Sequence, residues 1–131
     1  MNTMKKIISL LVINIALFSF KVNAQSDTND IINAFKQSNA TAVSNYFENL
    51  IDLTLPGKSE IKDISKTQAT IALKGFFDEN AITGFEPASQ RESGSIMYIA
   101  GKMTGKAKPF NVTLLLKNKD GKHFITSIRI N

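Results

Sequence analysis

Cysteine and tryptophan are absent, histidine occurs once, and three prolines are spread over 131 residues. Each shortage closes a class of explanation. Without cysteine there is no disulfide framework, so a small domain made from this chain must be held by its apolar core. One histidine and no thiol leave a structural or catalytic zinc site without its usual ligands, and no metal or other cofactor is expected. Neither a Gly-x-Ser-x-Gly elbow nor a phosphate-cradling glycine loop occurs, so the sequence signals no acyl-transferring serine and no nucleotide site. Internal repeats and low-complexity linkers are also missing.

What is present begins with an address. Lys5-Lys6 precede an apolar run from Ile7 to Phe20, broken only by Ser9, Asn14 and Ser19, and Val22-Asn23-Ala24 supplies small residues for cleavage. This is the pattern of a secretory signal peptide. A membrane anchor is the alternative, but a helical span needs roughly 20 apolar residues and the run is shorter. Gln25, not cysteine, follows the cleavage site, which argues against a lipoprotein. Residues 1–24 are therefore expected to be removed, leaving residues 25–131 as a single domain in the periplasm or outside the cell, with no membrane span.

Cleavage also removes Lys5, Lys6 and Lys21, so thirteen basic side chains face eleven acidic ones and the net charge falls from +5 to +2. The remainder is uneven: residues 25–100 carry six basic and ten acidic groups, residues 101–131 seven basic and one acidic. Lysines at 102, 106, 108, 117, 119 and 122 fit solvated strand ends and turns, or a patch for an anionic surface or glycan. Nucleic acid is not expected as a partner, because aromatic residues are not interleaved with the lysines.

The clearest structural signal lies between Pro109 and Ile130. Phe110, Val112, Leu114 and Leu116 alternate, Asn118-Lys119-Asp120-Gly121-Lys122 forms a polar turn, and Phe124, Thr126, Ile128 and Ile130 alternate again. Alternation on both sides of Asp-Gly predicts a two-stranded hairpin. Upstream, Asp27 is a candidate cap for a helix carrying Ile31, Ile32 and Phe35, ending near Ser38. Asn39 caps a shorter helix carrying Val43, Tyr46 and Phe47. Leu50 to Leu55 reads as a strand closed by Pro56-Gly57, and Ser59 to Ile64 as a weaker one. Ser65 caps the longest helix, with Ala69, Ala72, Leu73, Phe76 and Phe77 on one face. Gly75 within it suggests close approach of another backbone, since glycine costs roughly 1 kcal/mol against alanine there. Phe85 to Arg91, an edge strand by virtue of Pro87, and Ser95 to Thr104 complete an α+β domain with helices on one face of the sheet.

The order of two helices, a strand, a long helix and a curved antiparallel sheet resembles the cystatin-like or nuclear transport factor 2-like superfamily. More narrowly, Ile31-Ile32-Asn33-Ala34-Phe35-Lys36, Leu53-Thr54-Leu55-Pro56, Leu73-Lys74-Gly75-Phe76-Phe77, Leu114-Leu115-Leu116-Lys117 and Gly121-Lys122 resemble a family of small exported Bacteroidetes proteins catalogued only as a domain of unknown function. Ala81-Ile82 and Asn111 depart from that family, which tends to have a proline and a basic residue at the corresponding places. The resemblance implies a cone formed by the long helix and the sheet, either a ligand pocket or a filled core. It implies no catalytic residue. It is nearly silent on activity; with no catalytic signature in the chain, the expected function is a non-enzymatic ligand-binding or protein-interaction module, with a small isomerase- or dehydratase-like enzyme as the alternative.

The candidate site residues follow. Phe35, Phe47, Phe76, Phe77 and Phe110 either line a hydrophobic cavity or pack the core, and Tyr98, flanked by Ile96 and Ala100 on its own face, either points inward to the pocket or is a core-edge aromatic with a satisfied hydroxyl. Asp52 is out of phase with Ile51, Leu53 and Leu55 and is expected to face solvent. His123 shares strand parity with Ile125, Ser127 and Arg129 and is also expected on the solvent side. With the even positions of Leu114-Leu115-Leu116 facing the helices, Leu115 points out, joined by Ile125, Ile99 and Met97. Such an apolar patch suggests a homodimer through the open sheet face; a small apolar ligand and a protein partner are the other expected associations.

Overall fold

The computed structural model describes residues 26–131, so the signal peptide expected over residues 1–24 lies outside the described residues. Helix α1, Ser26–Lys36, buries Ile31, Ile32, Ala34 and Phe35. Helix α2, Ala40–Ser44, starts where the Asn39 side chain accepts the Ala42 N–H at 3.0 Å. It stops earlier than the spacing of Val43 and Phe47 suggests, because Phe47 already belongs to strand β1, Phe47–Thr54. Strand β2, Ile61–Ser65, leads directly into α3, Lys66–Glu79, whose first turn is capped by Ser65 accepting the Gln68 N–H. Along α3, Ala69, Leu73, Phe76 and Phe77 are buried, the i, i+4, i+7, i+8 stripe of a helix lying on a core.

Four strands follow: β3, Gly84–Ser93; β4, Ile96–Thr104; β5, Phe110–Lys119; and β6, Lys122–Ile130. They join the first two in one six-stranded sheet of order β2-β1-β6-β5-β4-β3. All neighbours are antiparallel except β1 and β6, which run parallel and place the C-terminal strand in the interior of the sheet. The hairpin between β5 and β6 turns on Asp120 and Gly121, with φ of 53° and 82°. Two successive positive values are what a two-residue hairpin turn requires. Helix α1 packs on β3 and β6, and α3 on β1, β2 and α2, so one face of the sheet is roofed by helices. Strand β3 forms an edge, with Pro87 next to a break in its register with β4.

Two expectations about facing are overturned. In β6, Leu115 pairs with Ser127 and Leu116 with Ile125, leaving Thr126 as an extra residue. Its hydroxyl donates to the Leu115 carbonyl at 3.1 Å. This bulge shifts the side-chain phase by one, so His123 and Ile125 point to the helices together with Ile128 and Ile130. His123 is thus buried rather than on the solvent side, and Ile125 belongs to the core and not to the open face. In β4 the inward residues are Met97, Ile99, Gly101 and Met103, because Met97 sits opposite Leu116 and Ile99 opposite Leu114. Met97 and Ile99 are therefore core residues, and Tyr98 lies on the open face, 46% exposed.

Gly101 lies beneath Phe85, where an added Cβ would come within 2.4 Å of the Glu86 carbonyl and 2.8 Å of the Phe85 ring. Gly101→Ala forces the β3 backbone away and is expected to destabilise the fold by about 1–3 kcal/mol in urea denaturation.

Candidate functional site

Residues near the C-terminal end of α3 and the ends of β1 and β5 do not close on one another. They leave a cleft of about 440 Å³, within the size range of small-molecule sites. Its apolar lining is Leu55, Pro56, Ala72, Phe76 and Phe110, and its polar lining Lys58, Glu79 and Asn80. Phe76 and Phe110 meet edge to face at 5.2 Å between ring centroids. Asn80 is fixed in place, its side-chain amide donating to the Phe76 carbonyl at 3.0 Å. Gly75 is also part of the wall. A Cβ built there meets nothing within 4 Å, so no other backbone approaches it, contrary to the sequence expectation. The missing side chain leaves space in the cleft.

Of the six aromatic residues considered from sequence, Phe76 and Phe110 line this cleft. Phe35, Phe47 and Phe77 are in the core, with Phe35 packed against Phe77 and Phe85. Tyr98 lies across the sheet from them. Lys58, Glu79 and Asn80 carried no periodic signal and were invisible to pattern reasoning, whereas Gly75 was a signal whose meaning is open space. Asp52 faces outward as expected and accepts the Asp63 N–H at 3.0 Å. Among the four interface candidates, Leu115 is the one on the open face, half-buried in the free chain.

A second cluster lies at the other end of the core. His123, 8% exposed, stands between two carboxylates from different elements. Its Nδ1 is 3.1 Å from Asp27 in the first turn of α1, and its Nε2 is 3.2 Å from Glu92 near the end of β3. Asp27 also accepts the His123 backbone N–H at 2.7 Å, so this carboxylate ties α1 to β6 across 96 residues of sequence. With both ring nitrogens engaged, the cluster is a clasp on the fold. Among the described residues no group of three or more His, Asp or Glu side chains is placed to hold a metal ion.

Residues 28–131 match the family model described as Domain of unknown function (DUF4783). The chain belongs to this family. A DUF4783 protein of Bacteroides ovatus is 26% identical, with 77% of this chain and 90% of that one covered and a TM-score of 0.70. Beyond the family, the fold is shared with a cystatin-fold protein of Novosphingobium aromaticivorans (11% identity, 82% and 97% covered, TM-score 0.62). It is shared also with an NTF2-like protein of Cytophaga hutchinsonii (12%, 82% and 88%, TM-score 0.58). No curated protein matches the chain. The expected α+β, NTF2-like architecture and the family resemblance are therefore both correct. No helix among the described residues of this DUF4783 protein is long and apolar enough to cross a membrane.

The clasp gives two predictions. His123→Ala removes both ring contacts and is expected to cost this DUF4783 protein about 1–3 kcal/mol, with faster hydrogen exchange in the first turn of α1. Nearby, burial and then the negative charges of Asp30 and Asp27 push the Tyr46 hydroxyl above the ordinary tyrosine value of 10.0. The folded state therefore holds this proton more tightly than the unfolded state. Its contribution to stability is whole below about pH 10 and is lost as the pH rises through the folded value. Tyr46→Phe is expected to flatten the fall in stability above about pH 10, checked by urea denaturation across that range.

Proposed function

We propose that this DUF4783 protein is an exported, non-enzymatic binding module whose α3 cleft holds a small ligand with an apolar part and a polar end. The observation that carries the reading is the wall at Gly75. A helix interior that omits a side chain facing open space gives up roughly 1 kcal/mol of helix propensity, and here the omission keeps the cleft between Phe76, Phe110 and Leu55 open. Phe76, Phe110 and Leu55 would hold the ligand's apolar part, and Lys58, Glu79 and Asn80 would orient its polar end. The basic start and apolar run of residues 5–20 support the exported setting.

Proton abstraction of the isomerase or dehydratase kind uses a base whose environment raises its basicity, usually by burial. The carboxylate in this cleft, Glu79, is exposed. Binding is the reading that fits these residues.

The test uses the purified chain and an apolar fluorophore, anilinonaphthalene sulfonate. One molecule is expected to bind per chain, and Gly75→Leu is expected to abolish binding while leaving the unfolding temperature unchanged or higher, since leucine is the better helix former by about 0.8 kcal/mol. Equal binding by both proteins would place the probe elsewhere and remove the basis for the cleft.

A further inference from the structure

The face of the sheet away from the helices mixes exposed apolar side chains with charged ones, Lys102 and Lys117 among them. Among the described residues five large apolar side chains are exposed, and Tyr98, Ile96 and, by strand parity, Leu50 share this face. Both arginines of the chain are on it as well. The register gives these residues an order. Arg91 pairs with Tyr98, Tyr98 with Leu115, Leu115 with Ser127, and Ser127 with Asp52. One row therefore crosses five strands, from a cation on β3 through an apolar centre on β5 to an anion on β1. With strands about 4.8 Å apart, its ends are about 19 Å from each other.

We infer that this face receives a second copy of the chain, related by a two-fold axis that runs along β5 and passes over Leu115. Such an axis lays the row on its own reverse. Leu115 meets the partner's Leu115, Tyr98 meets the partner's Ser127, and Arg91 meets the partner's Asp52, twice by symmetry. Charge complementarity is thus built into a single row of one chain. A polyanion would find Asp52 in the way at one end, whereas a second copy uses both ends.

Shape agrees with charge. A depression of about 240 Å³, lined by Thr113, Leu115, Ser127, Arg129 and one side of Tyr98, lies on the β6 side of the proposed axis. The same rotation carries the partner's projecting Tyr98 over Ser127 and into this depression, with the Arg129 guanidinium beside its ring, a favourable cation–π arrangement. On the β3 side, a second depression formed by Ser89, Gln90, Arg91 and Tyr98 receives the partner's Asp52. Packed sheets cross at about 30°, which displaces the row ends by about 5 Å, within reach of an arginine side chain. A patch of about 19 Å by about 20 Å on each copy, with its side-chain relief, reaches the roughly 1,000 Å² of total burial that a specific interface needs. Neither Arg91 nor Asp52 lines the α3 cleft, so the inference does not depend on ligand binding there.

Sedimentation velocity of the full chain from about 1 to about 100 µM tests it, because a dimer of this size should assemble in that range. The wild type is expected to dimerise. Arg91→Asp and Asp52→Arg are each expected to raise the dissociation constant on the order of tenfold or more, since each sets like charges face to face. Combining the two reverses both ends of the row and is expected to restore the wild-type constant to within about threefold, a recovery that misfolding of either single variant could not produce. A monomer at every concentration would overturn the inference, as would a dimer indifferent to both single reversals. A monomer that binds heparin through Arg91 and Arg129 would overturn it in favour of an acidic glycan.

Discussion

The extra residue at Thr126 is the constraint on which the arrangement of the sheet depends. Strand β6 lies between β5 and β1 and has to supply the core at both its ends. Strict alternation cannot do this with His123 and Ile125 at one end and Ile128 and Ile130 at the other, because the two pairs differ in parity. The bulge absorbs the difference, and the Thr126 hydroxyl satisfies the Leu115 carbonyl beside the break. Once the phase has shifted, the first half of β6 faces α1 and its second half continues beneath the helical layer. Without the shift, His123 would point to solvent and the Asp27 and Glu92 carboxylates would lose their common partner.

That single irregularity separates the two surfaces of the molecule. On the helical side, α1, α2 and α3 cover a set of buried Ile, Leu, Phe and Met side chains, and the cleft lies at the margin where α3 meets β1 and β5. The cleft is a lateral opening beside Phe76. On the other side, the residues displaced outward by the same register, Ser127 and Arg129, join Tyr98, Leu115 and Arg91. A domain without disulfides thus keeps its core intact, and the two surfaces proposed for binding lie at the edge of one layer and on the outside of the other.

Much of this was legible in the sequence wherever local chemistry decided the outcome. Asn39 and Ser65 cap their helices because their side chains reach the first free N–H groups, and Asp120-Gly121 turns because both residues accept positive φ. Pro87 marked an edge because it cannot donate to a neighbouring strand. What was not legible was long-range phase. The alternation of Ile96, Tyr98 and Ala100 looks as apolar as that of Met97, Ile99 and Met103, and pairing with Leu114 and Leu116 decides between them. Lys102, which shares parity with Tyr98, was the available sign that this side is wet. For β6 no local sign existed beyond a threonine able to close a bulge. The cleft escaped for a related reason: Lys58, Glu79 and Asn80 come together through the packing of α3, which no spacing along the chain encodes.

The parallel contact of β1 with β6 has a kinetic consequence. Phe47 pairs with Ile125, Leu53 with Ile128, and the Asp27–His123 contact spans 96 residues of sequence, so one edge of β1 and the clasp on α1 are completed only when β6 is available. Bringing such distant segments together costs loop entropy before any contact rewards it, which raises contact order and slows folding. A chain emerging from the ribosome cannot complete this sheet early, and the inner edge of β1 stays unpaired until the last strand arrives. Late closure of that kind suits the export proposed above, because a sheet still lacking its inner strand is easier to thread through a pore than a finished one.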